Sequence, residues 1–173
     1  RVLFRSLVKI LKEADLYDKT LIIFTSDHGM AFAGGKTTVY EGGLKVPMVV
    51  RDPYQTKRGI ESNALISHID ITPTILDFGN GLDQKTNAPK NPIDADKFWK
   101  ERGEALKENR NGHKKFNSYH GKSWLHCLSK PEEPHHETIF ASHTFHEIQM
   151  YYPMRVVRDQ QYKLIWNIAY PLP

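Results

Sequence analysis

Apolar positions first recur at helical spacing. Val2, Leu3, Leu7, Ile10, Leu11 and Ala14 fall on one side, with Arg5, Lys9, Lys12 and Glu13 on the other. That pattern predicts an amphipathic helix, followed by a turn over Asp15-Leu16-Tyr17-Asp18. Thr20 to Thr25 is a β-rich apolar run too short for a helix, which predicts a buried strand, parallel and fed by the preceding helix. Ser26 to Gly43 follows as a loop with five glycines. Val46-Pro47-Met48-Val49-Val50 is the next strand, with Pro47 near its start, where a missing N–H is tolerated. Arg51 to Ser62 is polar and turn-rich, and Ala64 to Ile69 is extended. Asp70 or Thr72 then caps a short helix with Pro73 in its first turn.

The pattern weakens at Gly79. Residues 80–130 are rich in Lys, Asn, Gly and Pro, and only Phe98-Trp99 and Ala105-Leu106 predict a short helix. The segment reads as a long surface excursion. From residue 138 strands return as Thr138-Ile139-Phe140-Ala141, Met154 to Arg158 and Tyr162 to Trp166. The last two alternate about a turn at Asp159-Gln160 and predict an antiparallel hairpin. The expected class is α/β in front and antiparallel behind. Its divisions are residues 1–79, a polar insertion or connection over 80–137, and a smaller antiparallel part over 138–173.

Composition adds limits. The chain has 173 residues, 39% apolar and 25% charged, which fits a globular domain with a core. The longest apolar run, Leu21-Ile22-Ile23-Phe24, is too short to span a membrane. A net charge of +4 is mild: it fits an anionic substrate, but many neutral-ligand proteins carry as much, and no nucleic-acid partner is expected. Cys127 is the single cysteine, so no internal disulfide is possible. The chain opens at Arg1 inside a helical pattern and stops at Pro173 after a strand-like run, so it is expected to be an internal piece of a longer protein. Nothing in the pattern sets its oligomeric state.

Candidate chemistry gathers in the glycine-rich loop. In open α/β sheets ligands bind beyond the carboxyl ends of strands. Asp27 and His28 stand at such an end and offer a carboxylate oxygen and an imidazole nitrogen to one ion. Gly29 and Gly34-Gly35 permit close backbone approach. Lys36 presents a point charge suited to a tetrahedral oxyanion. A strand-terminal Asp is as readily a turn former, and Lys36 a solvated lysine.

The stretch LIIFTSDHGMAFAGGKTTVYEGGLKVPMVVR, residues 21–51, resembles the signature of the sulfatase family within the alkaline-phosphatase-like superfamily. Its parts are a strand, Ser-Asp-His-Gly, a short loop, Lys, and Tyr-Glu-Gly-Gly-x-x-Val-Pro leading into a strand. Asp70-Ile71-Thr72-Pro73-Thr74 resembles the family's Asp-x-x-Pro-Thr helix start. The resemblance implies part of an alkaline-phosphatase-like α/β sandwich plus the start of a C-terminal antiparallel subdomain. It implies that Asp27 and His28 ligate a divalent ion, normally Ca²⁺, with Mn²⁺ or Zn²⁺ in phosphoryl-transferring relatives. Lys36 would bind a sulfate oxygen as a catalytic charge. Glu41, Gly42 and Gly43 would shape the turn before the next strand, and Asp70 would be a helix cap.

The family's formylglycine nucleophile arises in a Cys/Ser-x-Pro-Ser/Ala-Arg motif, which this chain does not contain; Cys127 lies outside such a pattern. The nucleophile and the paired aspartates that complete the metal site are expected in a missing N-terminal half, and the chain alone is expected to be inactive. Seven histidines lie in the second half: His113, His120, His126, His135, His136, His143 and His146. A zinc site could be drawn from His143-Thr144-Phe145-His146 with Cys127, but without paired short-spacing Cys/His clusters of the structural kind the segment reads rather as a His-rich polar stretch. Residues 142–168, SHTFHEIQMYYPMRVVRDQQYKLIWNI, are similar to the heparan N-sulfatase (sulfamidase) group. That likeness makes His146 and Glu147 candidates for contacting an aminosugar. It implies a sulfated sugar substrate and a periplasmic, secreted or lysosomal setting; the absence of Asn-x-Ser/Thr sequons leans bacterial. The rival expectations are a phosphomono- or phosphodiesterase of the same superfamily and a non-catalytic sugar-binding homologue.

Overall fold

A computed structural model of the chain describes residues 2–91, 118–146 and 150–170. The Phe98-Trp99 helix expected from sequence lies outside them, as does Glu147. The chain divides into two compact units: residues 1–65 with 127–173, and residues 66–126.

In the first unit the helical spacing yields α1, Val2–Glu13. Asp15, at φ 54°, ends it, and a 3₁₀ turn over Tyr17–Lys19 leads to β1, Ile22–Thr25. A long loop and the one-turn helix α2, Glu41–Leu44, connect to β2, Met48–Arg51. The expected parallel pairing is not what forms. β1 and β2 are antiparallel, with Ile22 opposite Arg51 and Thr25 opposite Met48. The loop returns the chain to the carboxyl end of β1, so β2 runs back along it. β1 is also less buried than an apolar run predicts, because a two-stranded sheet leaves Phe24 and Val49 exposed. Phe24 meets Phe4 of α1 edge to face, ring centroids 5.5 Å apart.

Arg51 belongs to β2 rather than to the polar stretch after it. Its guanidinium stacks 3.7 Å from the Tyr17 ring and donates to Tyr17 O at 2.5 Å and to Asp18 Oδ1 at 2.7 Å. Those partners tie the end of β2 to the α1–β1 connection. Ala64 to Ile69 is not a strand. Leu65 makes a single antiparallel bridge to His136, and His68–Asp70 closes a 3₁₀ turn.

The second half of this unit is a three-stranded antiparallel sheet, with strands Ile139–His146, Met150–Arg158 and Lys163–Asn167. Asp159 makes the hairpin between the last two, its Oδ1 accepting from Gln161 N at 2.7 Å and Tyr162 N at 2.6 Å. Met154 and Val156 on the inner face form the core with Val39 from the glycine-rich loop, and Ala141 and Ile165 pack against it. So the loop is anchored through Val39 to a sheet far along the chain. The outer face keeps Phe140, Leu164 and Trp166 exposed.

The second unit is built around polar groups. α3, Ile71–Phe78, carries Pro73 in its first turn. Asp70 precedes it but makes no side-chain bond to its N-terminus. Fully buried, Asp70 instead takes Ser67 N on Oδ2 at 2.8 Å and Lys122 N on Oδ1 at 3.0 Å. It therefore closes a capping box around the 3₁₀ turn and pins the returning chain. Thr74 Oγ1 donates to Asp70 O at 2.7 Å and accepts from Trp124 N at 3.2 Å. A short hairpin follows: β3, Leu82–Asp83, against β4, Ala88–Pro89. At its turn Asn87 donates to Tyr119 O and Gly121 O at 2.9 and 2.7 Å.

A one-turn helix, His126–Ser129, is α4, so the three long strands become β5, β6 and β7. The stretch expected as a surface excursion thus contributes Leu82 and Trp124 to the interior, Trp124 at 1% exposure. Trp124→Ala is expected to destabilise the protein by about 3–5 kcal/mol, since an indole of this size leaves a cavity. A denaturation midpoint that does not move would show that the indole is not packed.

Candidate metal and anion site

The site residues follow β1 directly. Thr25 ends the strand, and Ser26 turns the chain by donating from its hydroxyl to His28 O at 2.9 Å. Asp27 Oδ1 accepts from His28 N at 3.0 Å. His28 Nδ1 lies 2.8 Å from Gly29 O. A carbonyl only accepts, so Nδ1 is the donor, and loss of the Nε2 proton to a bound cation would leave the lone pair there as the ligand. Asp27 Oδ2 stands 3.3 Å from that Nε2, with side-chain exposures of 82% for Asp27 and 41% for His28. The adjacent side chains thus turn two ligand atoms to one open spot.

That spacing fits a shared ion. Two ligands about 2.4 Å from Ca²⁺ at right angles stand about 3.4 Å apart, and tetrahedral Zn²⁺ at about 2.0 Å gives about 3.3 Å. The pair accommodates a divalent cation without choosing between these metals. Partial loss of hydration pushes the Asp27 carboxyl up. The His28 ring, the backbone N–H groups of Asp27 and His28 and the Ser26 hydroxyl outweigh it, holding the carboxyl below its ordinary 3.8. Asp27 is therefore an anion across the neutral range, as a metal ligand must be.

Beyond His28 the loop is held by backbone against backbone. Gly29 N donates to Gly43 O at 3.0 Å, and a Cβ on Gly29 would fall 1.6 Å from Gly42 O. A Cβ on Gly43 would lie 2.3 Å from Thr38 O and 2.5 Å from Gly35 O, and one on Gly35 would lie 2.2 Å from Met30 O. Each of these positions needs glycine for space. Gly34 needs it for conformation, at φ 76°. Lys36 N donates to Met30 O at 2.8 Å, which fixes its backbone two residues from His28. Among the described residues its ammonium makes no hydrogen bond or ion pair.

Glu41 carries more than the turn shaping expected of it. Its Oε2 accepts from Arg158 Nη1 at 2.7 Å and its Oε1 from Lys163 Nζ at 2.9 Å. The Lys163 hydrogen bond lowers its carboxyl most, partial desolvation opposes it, and Arg158 lowers it further, so it sits below its ordinary 4.5. A depressed carboxylate stabilises the fold fully above its unfolded value, and that stabilisation is lost as pH falls through the lower folded value. Periodicity gives no sign of these pairs.

Asp27 and His28 are brought together, and Lys36 shares their loop. His146 is the last residue of β5, opposite Met150. No helix among the described residues is long and apolar enough to cross a membrane.

Residues 3–81, from α1 through the glycine-rich loop to α3, match the Sulfatase family model. N-sulphoglucosamine sulphohydrolase of Homo sapiens is 33% identical over 166 residues, covering 94% of this chain and 28% of the human protein. An ulvan-active sulfatase of Formosa agariphila is 32% identical over 165 residues, covering 93% of this chain and 26% of that one. Arylsulfatase K of Gallus gallus is 40% identical, over 42% of this chain and 14% of its own length. The chain thus spans about a quarter of the length of the first two relatives. With its loop, its paired Asp27 and His28 and these matches, the chain belongs to the sulfatase family.

Proposed function

We propose that the protein containing this chain is a sulfohydrolase that removes sulfate from a sulfated aminosugar, such as the N-sulfoglucosamine of heparan sulfate. The support for the substrate is the likeness to N-sulphoglucosamine sulphohydrolase, which runs over 94% of the chain at 33% identity and so includes β5 to β7. The ulvan-active sulfatase, at 32% over 93%, sets the alternative substrate, and arylsulfatase K covers 42%. On this reading residues 1–79 are the later part of the catalytic α/β domain, 80–137 connect, and 138–173 begin the C-terminal subdomain. The remainder of the catalytic domain is the chain's obligatory partner and brings the formylglycine, so the chain alone is inactive.

Asp27 and His28 hold the divalent ion, Ca²⁺ on the family pattern. Bound there, such an ion supplies Lewis-acid polarisation of a sulfate oxygen. Lys36 supplies a charge-assisted donor to another sulfate oxygen, and its ammonium has no competing partner among the described residues. That charge matters most as negative charge builds on the sulfuryl oxygens and the leaving atom, so its contribution is catalytic as well as binding. His146 and Glu147 contact the aminosugar; a carboxylate accepts hydrogen bonds from hydroxyls or an amine.

Sulfate release by the full-length protein decides the substrate. Turnover of N-sulfoglucosamine in preference to an aryl sulfate is expected. Preference for the aryl compound would overturn the aminosugar assignment, and preferential release from ulvan would point to the lineage of the Formosa enzyme.

A further inference from the structure

We propose that Glu41 is a positioning residue: its ion pairs with Arg158 and Lys163 hold Gly42-Gly43 against Gly29 and so set where Asp27 and His28 stand. The proposal rests on the reading of Asp27 and His28 as metal ligands. Its first support is the placement of the two cations. Arg158 and Lys163 lie directly opposite each other across β6 and β7. Like charges in that relation repel, and both side chains are largely withdrawn from solvent, at 28% and 17% exposure. A carboxylate with one oxygen on each removes the conflict. The sheet end is therefore built to receive an anion, and Glu41, 117 and 122 positions away in the chain, is that anion.

The second support is the contact beyond Glu41. Gly42 and Gly43 follow it in α2 and meet Gly29 with no side chain between them, through the Gly29 N to Gly43 O bond and the close Gly42 carbonyl. Side chains absorb small displacements by changing rotamer; bare backbone in contact passes them on. A shift of α2 is therefore a shift of Gly29, whose carbonyl fixes the His28 ring. Val39 ties the same loop to Met154 and Val156 by apolar packing, but that anchor has no direction; the two ion pairs do.

The test uses the full-length protein and compares wild type with Glu41→Gln and with Arg158→Met and Lys163→Met, each of which leaves one ion pair. Amide hydrogen exchange at Gly29 is the readout that needs neither metal nor activity. In Glu41→Gln, Gly29 exchange is expected to rise relative to Ile23 and Val50 in β1 and β2. Calorimetric Ca²⁺ affinity is expected to fall by about tenfold or more, as for other groups that orient metal ligands. The triple variant Glu41→Lys, Arg158→Glu, Lys163→Glu reverses every charge and is expected to restore both. Unchanged Gly29 exchange in Glu41→Gln would overturn the proposal. So would faster exchange with Ca²⁺ affinity equal to wild type, which would leave the pairs merely structural. If wild type binds no Ca²⁺, the ligand reading fails by itself, and Gly29 exchange alone decides for or against Glu41. Should Glu41→Gln not fold, the two single cation variants give the same readings.

Discussion

Gly29→Ala in the full-length protein is expected to cut kcat/KM by about 100-fold or more while the protein still folds. The added methyl would stand 1.6 Å from Gly42 O and 2.7 Å from Gly42 C. Neither neighbour is the tip of a flexible side chain, so one stretch of backbone has to retreat. The retreat cannot be shared out, because Gly43 is pressed against Thr38 O and Gly35 O behind it. A misplacement of about 1 Å near reacting groups is enough for about a 100-fold loss. Gly34→Ala is the control. A Cβ on Gly34 would meet nothing within 4 Å, and its φ of 76° strains any L-residue by about 1–2 kcal/mol without moving a neighbour. Steady-state kinetics and thermal melts on both variants check the contrast. Wild-type kinetics in Gly29→Ala would mean that the contact between residues 29 and 42 does not set the site.

The second large effect is expected from Asp27→Ala: loss of calorimetric Ca²⁺ binding and of sulfate release, with an unchanged melt in the absence of metal. Asp27 is largely exposed and its hydrogen bonds stay within Ser26 to His28, so folding does not depend on it. Its removal takes away the anionic half of the pair and leaves one neutral imidazole. A hard cation held mainly by oxygen ligands then loses a charged ligand outright. That loss exceeds the ~10–100-fold given by groups that only orient a ligand. Asp27→Asn keeps the shape and one oxygen and is expected to fall between. Identical titrations of wild type and Asp27→Ala would remove Asp27 from the metal site.

Local pattern made some elements legible and hid others for definite reasons. The spacing of Val2 to Ala14 specified α1, the Pro73 context specified α3, and alternation about Asp159-Gln160 specified the β6–β7 hairpin, because each depends on neighbours within a few residues. Strand direction does not. Residues 22–25 and 48–51 are equally apolar whether they run parallel or antiparallel, and the long loop between them permits either. Trp124 gave no sign of its burial because what holds it is not local: Asp70 and Thr74 accept from the backbone N–H groups of Lys122 and Trp124, some fifty positions along the chain. In the candidate site, Asp27, His28 and Lys36 were readable from residue type and family pattern. The Glu41 pairs were not, since charge complementarity across more than a hundred positions leaves no local trace.

The same glycines that let the loop close also favour its opening. Each costs about 0.5–1 kcal/mol more than alanine to order, and five lie between Ser26 and Gly43. The loop buries little apolar surface apart from Val39 in compensation. It is therefore a segment able to open locally while β1 and β2 on either side stay paired. A cation on Asp27 and His28, or an anion on Lys36, would bind only the closed form and draw on that opening equilibrium. Ligand affinity would then carry the cost of closing the loop, and a protease would cut at residues 31–34 fastest when no ligand is present.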